Sequence, residues 1–461
     1  MVDKVVGRFA PSPTGFLHIG GARTALFAWL YAKSRGGECL LRFEDTDVER
    51  SQQEFTDSIL ESFNWFNVTF DKKPFHQSKN KERQLEKVSY LVKNNKAYRC
   101  ICSTERLNEL RLEQQKNGLK PKYDGKCRKL NLGTDTDHVI RFKNPDSGKV
   151  SFTDIIRGEI NFANEELDDL VLVRRSGFPT YNLSVVVDDM DMGITHVIRG
   201  DDHLNNTPRQ INIFEALDAK IPKYGHVPMI LAEDGKRMSK RHGAISVSEY
   251  KDLGILPEAF LNYLVRLGWS LGDQELFSMQ ELKEKFKHGK MNKAPATFSL
   301  DKLLWYNKEY LSNLDKRDLI TKVSDYSEQF NQDSRSEEVL DLIKERCSLL
   351  SDFKEESIYF FEDSIKIDSK DSSQVFNVEA IELLKKLYDE LDTIEDWTEE
   401  KIHFSIETVM STNKVSMGKV GQPFRLTITG RMNSPPIDKT AAVIGKDKVM
   451  ARLKQVIREF S

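Results

Sequence analysis

Two short segments more than two hundred residues apart carry the residue types that a triphosphate site needs. The first is Arg8-Phe9-Ala10-Pro11-Ser12-Pro13-Thr14-Gly15-Phe16-Leu17-His18-Ile19-Gly20-Gly21, and the second is Lys236-Arg237-Met238-Ser239-Lys240-Arg241. The first offers a glycine-rich turn opening onto a helix, where free backbone N–H groups and the helix dipole attract anions. Gly15, Gly20 and Gly21 let backbone and phosphate approach closely, and His18 can donate a hydrogen bond to a phosphate oxygen. The second offers mobile cations that follow charge as it builds on phosphate oxygens. Lys240 is the strongest candidate for stabilising a pentacoordinate α-phosphate, with Lys236, Arg237 and Arg241 as helpers. Gly235 and Gly243 bracket this run as a hinge-bearing loop would. Together the segments predict two walls of one ATP site, formed by Gly15, His18, Gly20, Gly21, Arg237, Met238, Ser239, Lys240 and Arg241.

The elements that must hold them can be read from periodicity. Val5 to Ala10 is a short apolar run ending in a Pro/Gly cluster, which predicts a buried strand feeding a loop. Ala22 to Ser34 predicts a helix with Ala25, Leu26, Trp29 and Leu30 on one face, stopped by Gly36-Gly37. Glu38 to Phe43 predicts a second strand, with Glu44-Asp45-Thr46-Asp47 at its carboxyl edge. Strand, helix and strand in this order imply a right-handed parallel crossover and an open α/β sheet. Ligands of such sheets sit beyond the carboxyl ends of the strands, where Ser12 to Gly21 and Glu44 both fall. From about Asn80 to Asp189 shorter elements read as an insertion, and Ser184 to Val187 reads as a strand of the returning half. Thr195 to Arg199 is strand-like, Thr207 and Pro208 suit an N-cap and first position for a helix to Leu217, and Tyr224 to Leu231 is another strand. After about Tyr310 the chain reads as amphipathic helix, and Tyr326, Phe330, Tyr359, Phe360, Phe361 and Trp397 fall at the spacings of helical cores.

The bounds are those of an ordinary soluble chain: 461 residues, 31% charged and 39% hydrophobic, enough for two to four packed units. No apolar run reaches membrane-spanning length, so no membrane partner and a cytoplasmic address are expected. Five cysteines, Cys39, Cys100, Cys102, Cys127 and Cys347, are too few and too odd a set for a disulfide framework. A net charge of −3 does not by itself favour nucleic acid. Lys116 to Lys129 and Lys439 to Arg458 are either local phosphate-gripping surface or merely solvated faces.

His18-Ile19-Gly20-Gly21 and Arg237-Met238-Ser239-Lys240-Arg241 resemble the HIGH and KMSKS motifs of class I aminoacyl-tRNA synthetases. Arg8 to Gly15, Gly21 to Phe27, Arg42 to Asp47, Pro179 to Asn182, Thr195 to Gly200 and Leu261 to Trp269 are similar to bacterial-type glutamyl-tRNA synthetases in particular. The likeness is strong to about Tyr310 and looser beyond, in Gly418-Lys419, Pro423-Phe424-Arg425 and Ile444-Gly445. The resemblance implies a Rossmann-like α/β catalytic domain in two halves, 1–80 and 190–310, the second carrying the KMSKS stem-contact region. It implies an inserted acceptor-binding domain at 81–189 and an all-α anticodon-binding region at 311–461. It implies ATP, Mg²⁺, glutamate and tRNA(Glu) as partners, His18 and Lys240 as catalytic residues, and a monomer. By the same resemblance Arg8, Tyr181 and Arg199 surround the substrate's side-chain carboxylate, while Ser12 and Glu44 hold its backbone amine and carboxylate. Guanidinium recognises a planar carboxylate bidentately, and Glu44 can neutralise an ammonium. The alternative for Arg8 and Arg199 is structural ion pairing with Glu44, Asp201 or Asp202. One departure concerns Val185, where some relatives carry an amide that holds the α-carboxylate.

Cys100, Cys102 and Cys127 resemble a family variant that binds one structural zinc in the inserted domain. Zinc needs four tetrahedral ligands. Lys129 stands where a histidine ligand is found and cannot serve as an ammonium; Tyr123 is the substitute used by some relatives, and His138 is a remoter choice. A metal-free remnant with buried thiols is the alternative. Rival activities are a glutaminyl enzyme, which usually has Glu and Asn where this chain has Ser12 and Thr14, and a truncated relative that glutamylates a tRNA base but lacks the helical region. A non-discriminating enzyme that also charges tRNA(Gln), and an inactive synthetase-like tRNA-binding protein, complete the set.

Overall fold

The computed structural model describes residues 4–46, 50–135, 137–236, 238 and 245–461. The chain divides into two units, Met1–Lys251 with Pro257–Leu300, and Asp252–Leu256 with Asp301–Ser461.

The first unit is built on parallel strands. β1 (Val6–Phe9), α1 (Ile19–Lys33) and β2 (Glu38–Phe43) form the expected crossover, with Arg8 paired to Leu40 and Phe9 to Leu41. α2 (Gln53–Trp65) leads to β3 (Phe75–His76), which extends the parallel sheet beyond β2. Gly37 is required where α1 turns back into β2, since a side chain there would strike Val5 O, whose acceptor is taken by Glu38 N–H at 2.8 Å. The α1 helix is buried on more than the one face its pattern suggested: Phe27, Ala28 and Ala32 are as covered as Leu26 and Leu30. It lies against β1 on one side and against a later helix, Pro257–Arg266, on another.

α3 (Lys81–Lys93), β4 (Ala97–Cys100), α4 (Thr104–Lys116), β5 (Val139–Phe142), a hairpin of β6 (Lys149–Asp154) and β7 (Gly158–Ala163), and β8 (Val171–Val173) follow. α5 spans Tyr181–Asp191, so the strand expected at Ser184 to Val187 is a helix. Leu183, Val186 and Val187 enter a core with Val88, Leu91 and Phe214, while Ser184 and Asp188, four apart, meet the amide side chains of Gln84, Gln77 and Asn80. Burial on most sides overrides the β-preference of three successive valines.

β9 (His196–Gly200) joins β1 through Thr195 N–H to Val6 O at 2.9 Å, and runs parallel to β10 (Lys223–Val227). Between them α6 covers Thr207–Ala216. Its N-cap is Asn206 rather than Thr207, which lies inside the first turn and spends its hydroxyl elsewhere. The strand expected from Tyr224 to Leu231 is broken at Pro228, which cannot donate to a ladder, and resumes as β11 (Ile230–Leu231).

The second unit is helical. Eleven α-helices run from Leu300 to Phe460, and no strand occurs there among the described residues. Phe330, Tyr359 and Phe360 are core residues, as their spacing implied, and Trp397 donates its indole N–H to Ala441 O at 3.0 Å. The basic stretch Lys439 to Arg458 is largely internal bracing: Arg452 is buried and donates to Ile428 O and Glu362 O, and Lys446 donates to Ile394 O at 2.6 Å. In the first unit Arg128, the guanidinium of the other basic stretch, is committed to Asp169 and Asp146. No helix among the described residues is long and apolar enough to cross a membrane.

Candidate active site

The carboxyl ends of β1, β2, β9 and β10 gather the charged residues of the site. His18 caps α1: its Nδ1 accepts from Gly20 N–H at 3.1 Å and Gly21 N–H at 3.3 Å. The two amides expected to be free for an anion are therefore already bound. Because Nδ1 accepts, the ring proton sits on Nε2, which makes His18 itself the donor for an incoming oxygen. Gly20 has no side chain to spare here, since a Cβ would lie 3.1 Å from the imidazole.

Of the second motif, Arg237, Ser239, Lys240 and Arg241 lie outside the described residues. Met238 is half-buried, and Lys236 is exposed beside Asp234 at 3.5 Å. The chain leaves this loop at Ser246, which forms an antiparallel bridge with His18, and Val247 N–H donates to Leu17 O at 2.9 Å. On its other side the buried Arg23 of α1 donates to Leu267 O at 3.0 Å and to Pro228 O. Burial pushes its pKa down to about 10. Both flanks of the loop are thus fixed to α1 or to the turn that precedes it.

The five residues matched to an amino-acid pocket fall around one buried cluster. The loop after β1 lies along the end of β2, with Glu44 N–H donating to Pro11 O at 2.9 Å, which sets exposed Ser12 beside Glu44. Arg8 and Arg42 share Asp189: its Oδ1 accepts from Arg42 Nη1 at 2.5 Å and from Arg8 Nε at 3.3 Å, and Arg42 Nη2 donates to Glu44 at 3.2 Å. Among the described residues, none of the ion pairs considered for Arg8 and Arg199 is formed; Asp189 takes Arg8, and Asp201 takes Arg157 at 2.6 Å. Burial raises the Asp189 carboxyl, but Arg42 and Arg8 outweigh it and hold the group below its ordinary range. Glu44 is the weaker partner of Arg42, and burial leaves its carboxyl raised. A ligand ammonium beside it would favour its ionised form.

Arg199, on β9, is the exception in this cluster. It is buried at 4% exposure and, among the described residues, has no carboxylate partner. It donates to Gln210 Oε1 at 2.9 Å, Thr207 Oγ1 at 2.8 Å, His226 Nε2 at 3.2 Å and His203 O at 3.4 Å. Burial lowers its pKa, the mark of a cation short of a counter-charge. Tyr181 opens α5 beside it, its hydroxyl 3.0 Å from His203 Nδ1. Tyr224, with the guanidinium 5.3 Å from its ring centre, keeps a buried hydroxyl with no hydrogen-bond partner among the described residues. An uncompensated cation and an orphan hydroxyl side by side call for an anionic, hydrogen-bonding ligand. Val185, where an amide was expected in relatives, is buried in α5 at 1% exposure.

Sequence reasoning missed Arg42, Asp189, Asp154, His203, Thr207, Gln210, Tyr224 and His226. A charged residue inside the apolar strand Leu40-Leu41-Arg42-Phe43 was the available signal for the first. The others lack a local pattern because their partners come from other elements. A cavity of about 590 Å³, lined by Phe43, Asp45, His76 and Lys79 among others, excludes Arg8, Tyr181 and Arg199, so cavity volume by itself does not mark the charge-bearing site.

The cysteine cluster is assembled as the family resemblance implied. Cys100, Cys102 and Cys127 place their sulfurs within 4.8 Å of one another. Tyr123 Oη lies 3.4 Å from the sulfurs of both Cys100 and Cys102, and Cys102 to Cys127 is 3.6 Å. A zinc tetrahedron with three sulfurs and one oxygen has sulfur–sulfur edges of about 3.8 Å and sulfur–oxygen edges of about 3.5–3.7 Å, close to these separations, so the donor set fits the metal. Cys100 is lowered despite its burial, through its hydrogen bonds with Tyr123 and Arg141, while burial raises Cys102. Arg141, 4.1 Å from the Tyr123 ring centre, and Arg106, 3.4 Å from the Cys102 sulfur, supply positive charge that favours thiolates. His138 is not among the clustered donors.

The family model for tRNA synthetases class I (E and Q), catalytic domain, matches residues 4–305, and that for an anticodon binding domain matches 308–457. The chain belongs to the class I (E and Q) tRNA synthetase family. It is similar over its whole length to a glutamate tRNA ligase from Elizabethkingia meningosepticum CCUG26117, solved in complex with its amino acid. The identity is 31% and the TM-score 0.90, with 100% of both chains covered. A glutamate-tRNA synthetase from Elizabethkingia anophelis is likewise 31% identical, with a TM-score of 0.86 over 99% of this chain and 100% of that one.

Proposed function

We propose that the protein is a glutamate–tRNA ligase. It joins glutamate to ATP as glutamyl-adenylate with release of pyrophosphate, then passes the glutamyl group to the terminal ribose hydroxyl of tRNA(Glu) with release of AMP. The observation that carries the choice of amino acid is Arg199, a buried guanidinium with no carboxylate of its own among the described residues. A side-chain carboxylate would supply the missing counter-charge and could accept from Tyr224 as well. Glutamine would leave the cation unpaired, a penalty that can reach about 10⁴ in discrimination. Arg8 and Tyr181 would complete that end of the ligand, with Ser12 and Glu44 at its ammonium and backbone carboxylate.

The remaining work is positioning and electrostatics. His18 Nε2–H would donate to a phosphate oxygen, Gly15, Gly20 and Gly21 would give close approach, and Lys240 with Arg237, Met238, Ser239 and Arg241 would form the facing wall. The docking of Ser246 on His18, six residues after Lys240, supports that pairing. Mg²⁺ would neutralise ATP phosphate charge when bound. Cys100, Cys102, Cys127 and Tyr123 would hold one structural zinc, which would brace the segment that the 81–189 insertion uses against the tRNA acceptor end. Residues 1–80 and 190–310 would make the catalytic domain, and 311–461 would read the anticodon. We place the enzyme in the cytoplasm as a monomer.

ATP–pyrophosphate exchange and aminoacylation with glutamate and with glutamine, each with and without tRNA(Glu) and tRNA(Gln), test this reading. Glutamate-dependent charging of tRNA(Glu) is expected. Charging of tRNA(Gln) with glutamate would make the enzyme non-discriminating, and tRNA binding without charging would make it an inactive relative.

A further inference from the structure

A buried guanidinium is ordinarily neutralised by a carboxylate. Arg8 and Arg42 follow this rule through Asp189 and Glu44. Arg199 does not, and the way it is held is unlike simple neglect. Three of its nitrogens are occupied, and every acceptor is uncharged: Gln210 Oε1 at 2.9 Å, Thr207 Oγ1 at 2.8 Å, His203 O at 3.4 Å and His226 Nε2 at 3.2 Å.

The nearest carboxylate in this network, Asp154, stands one imidazole away. It accepts from His226 Nδ1 at 2.6 Å and from the backbone amides of Ile156 at 2.9 Å and Arg157 at 2.8 Å. That contact puts the imidazole proton on Nδ1 and leaves Nε2 as the lone pair that receives both Arg199 Nε–H and the Thr207 hydroxyl at 3.0 Å. Gln210 is oriented by a second bond, its Nε2 donating to Asn182 Oδ1 at 3.1 Å, so its oxygen faces the arginine. Asn182 follows Tyr181 on α5, His226 lies on β10 and Asp154 ends β6. Four elements therefore converge to fix the plane of one guanidinium.

Resting on the glutamate reading above, we infer that Gln210, with His226 held by Asp154, is a specificity-determining positioning residue. It fixes Arg199 through uncharged acceptors, so that the whole cationic charge is kept for the substrate's side-chain carboxylate. A carboxylate in its place would hold the guanidinium as firmly but cancel the charge that separates glutamate from glutamine.

Gln210→Glu tests this directly, because it keeps size and the Oε1 acceptor and adds charge; the donor to Asn182 Oδ1 that it also removes is likewise absent in Gln210→Met, which serves as the control. In tRNA-supported ATP–pyrophosphate exchange, kcat/KM for glutamate is expected to fall about 10- to 100-fold, mainly through KM, and the glutamate-to-glutamine preference to fall by a similar factor. Gln210→Met, which removes the acceptor without adding charge, is expected to raise KM less and to leave the preference within about 3-fold of wild type. Equal losses in the two variants with an unchanged preference would make Gln210 a packing residue and overturn the inference. Should Gln210→Glu fail to fold by circular dichroism, Asp154→Asn decides. It keeps an acceptor for His226 Nδ1–H and removes the distant charge, and preference should stay within about 3-fold. Collapse of preference there would mean that Arg199 is already balanced through Asp154, contrary to the inference. Wild-type protein run alongside separates the levels. Absence of glutamate-dependent exchange in wild type sinks the reading of the site, whereas an intact preference in Gln210→Glu sinks only the role of Gln210.

Discussion

Ser246 forms an antiparallel bridge with His18, so the chain that has just passed through Lys240 is tied to the residue that caps α1. The two motifs are more than two hundred residues apart in sequence, yet a residue a few positions beyond the second meets the first through a backbone contact. Ser246 is thereby held at the phosphate end of the proposed site, which is where cationic charge would be needed as the α-phosphate is attacked.

Replacing Lys240 by alanine should lower the rate of adenylate formation by roughly 10²–10³ and leave the melting temperature unchanged. Pyrophosphate exchange beside a thermal melt reads both quantities. Near-normal exchange would remove Lys240 from the mechanism.

His18 has two separable duties. His18→Ala loses the cap on Gly20 and Gly21 and should cost about 1 kcal/mol of stability, whereas His18→Asn keeps an N-cap acceptor and should recover most of it. Both variants lack the Nε2 donor, so both should be slow in exchange, by about 10²-fold. Recovery of activity in His18→Asn would show that the ring serves the helix alone.

Protein purified without chelator should carry close to one equivalent of zinc, bound at Cys100, Cys102, Cys127 and Tyr123. Cys102→Ser should lose most of the metal, and chelator should lower the melting temperature of the wild type but not of the variant. Metal analysis below about a tenth of an equivalent would mean that the thiols are a metal-free remnant.

His196 and His203 should make the fold sensitive to mild acid. Burial pushes both down to about 4, aided by Lys223 and Arg35 at His196 and by Arg199 at His203. In the unfolded chain they titrate near 6.5, so between these values the unfolded state binds more protons and stability falls as pH falls. The contribution is fully present above about 6.5 and is used up below about 4. Denaturant melts at pH 7, 5.5 and 4.5 should show the decline, and His196→Gln should make it shallower; an unchanged slope in that variant would exclude His196 as a source.

Much of the chemistry was legible before any coordinates. β1, α1 and β2 follow from local patterns, because an apolar run, a helix-forming stretch and a Gly-Gly stop are each set by neighbours in the chain. The three cysteines were singled out through the family resemblance instead, and the structure brings their sulfurs together. The helix at α5 was misread because Val185-Val186-Val187 has a strand's composition, and only the amides of Gln77, Asn80 and Gln84, from elsewhere in the chain, explain why Asp188 is buried there.

Residue types and local spacing determined the motifs, the parallel crossover and which side chains could carry charge. Tertiary structure alone decided where that charge would be cancelled. Arg8 and Arg199 both arise from buried strands, but Asp189 from α5 lies against the first, while among the described residues the second donates only to uncharged acceptors: Gln210, Thr207, His226 and the His203 carbonyl. Electrostatic strength depends on distance and burial among residues remote in sequence, and no local pattern encodes either.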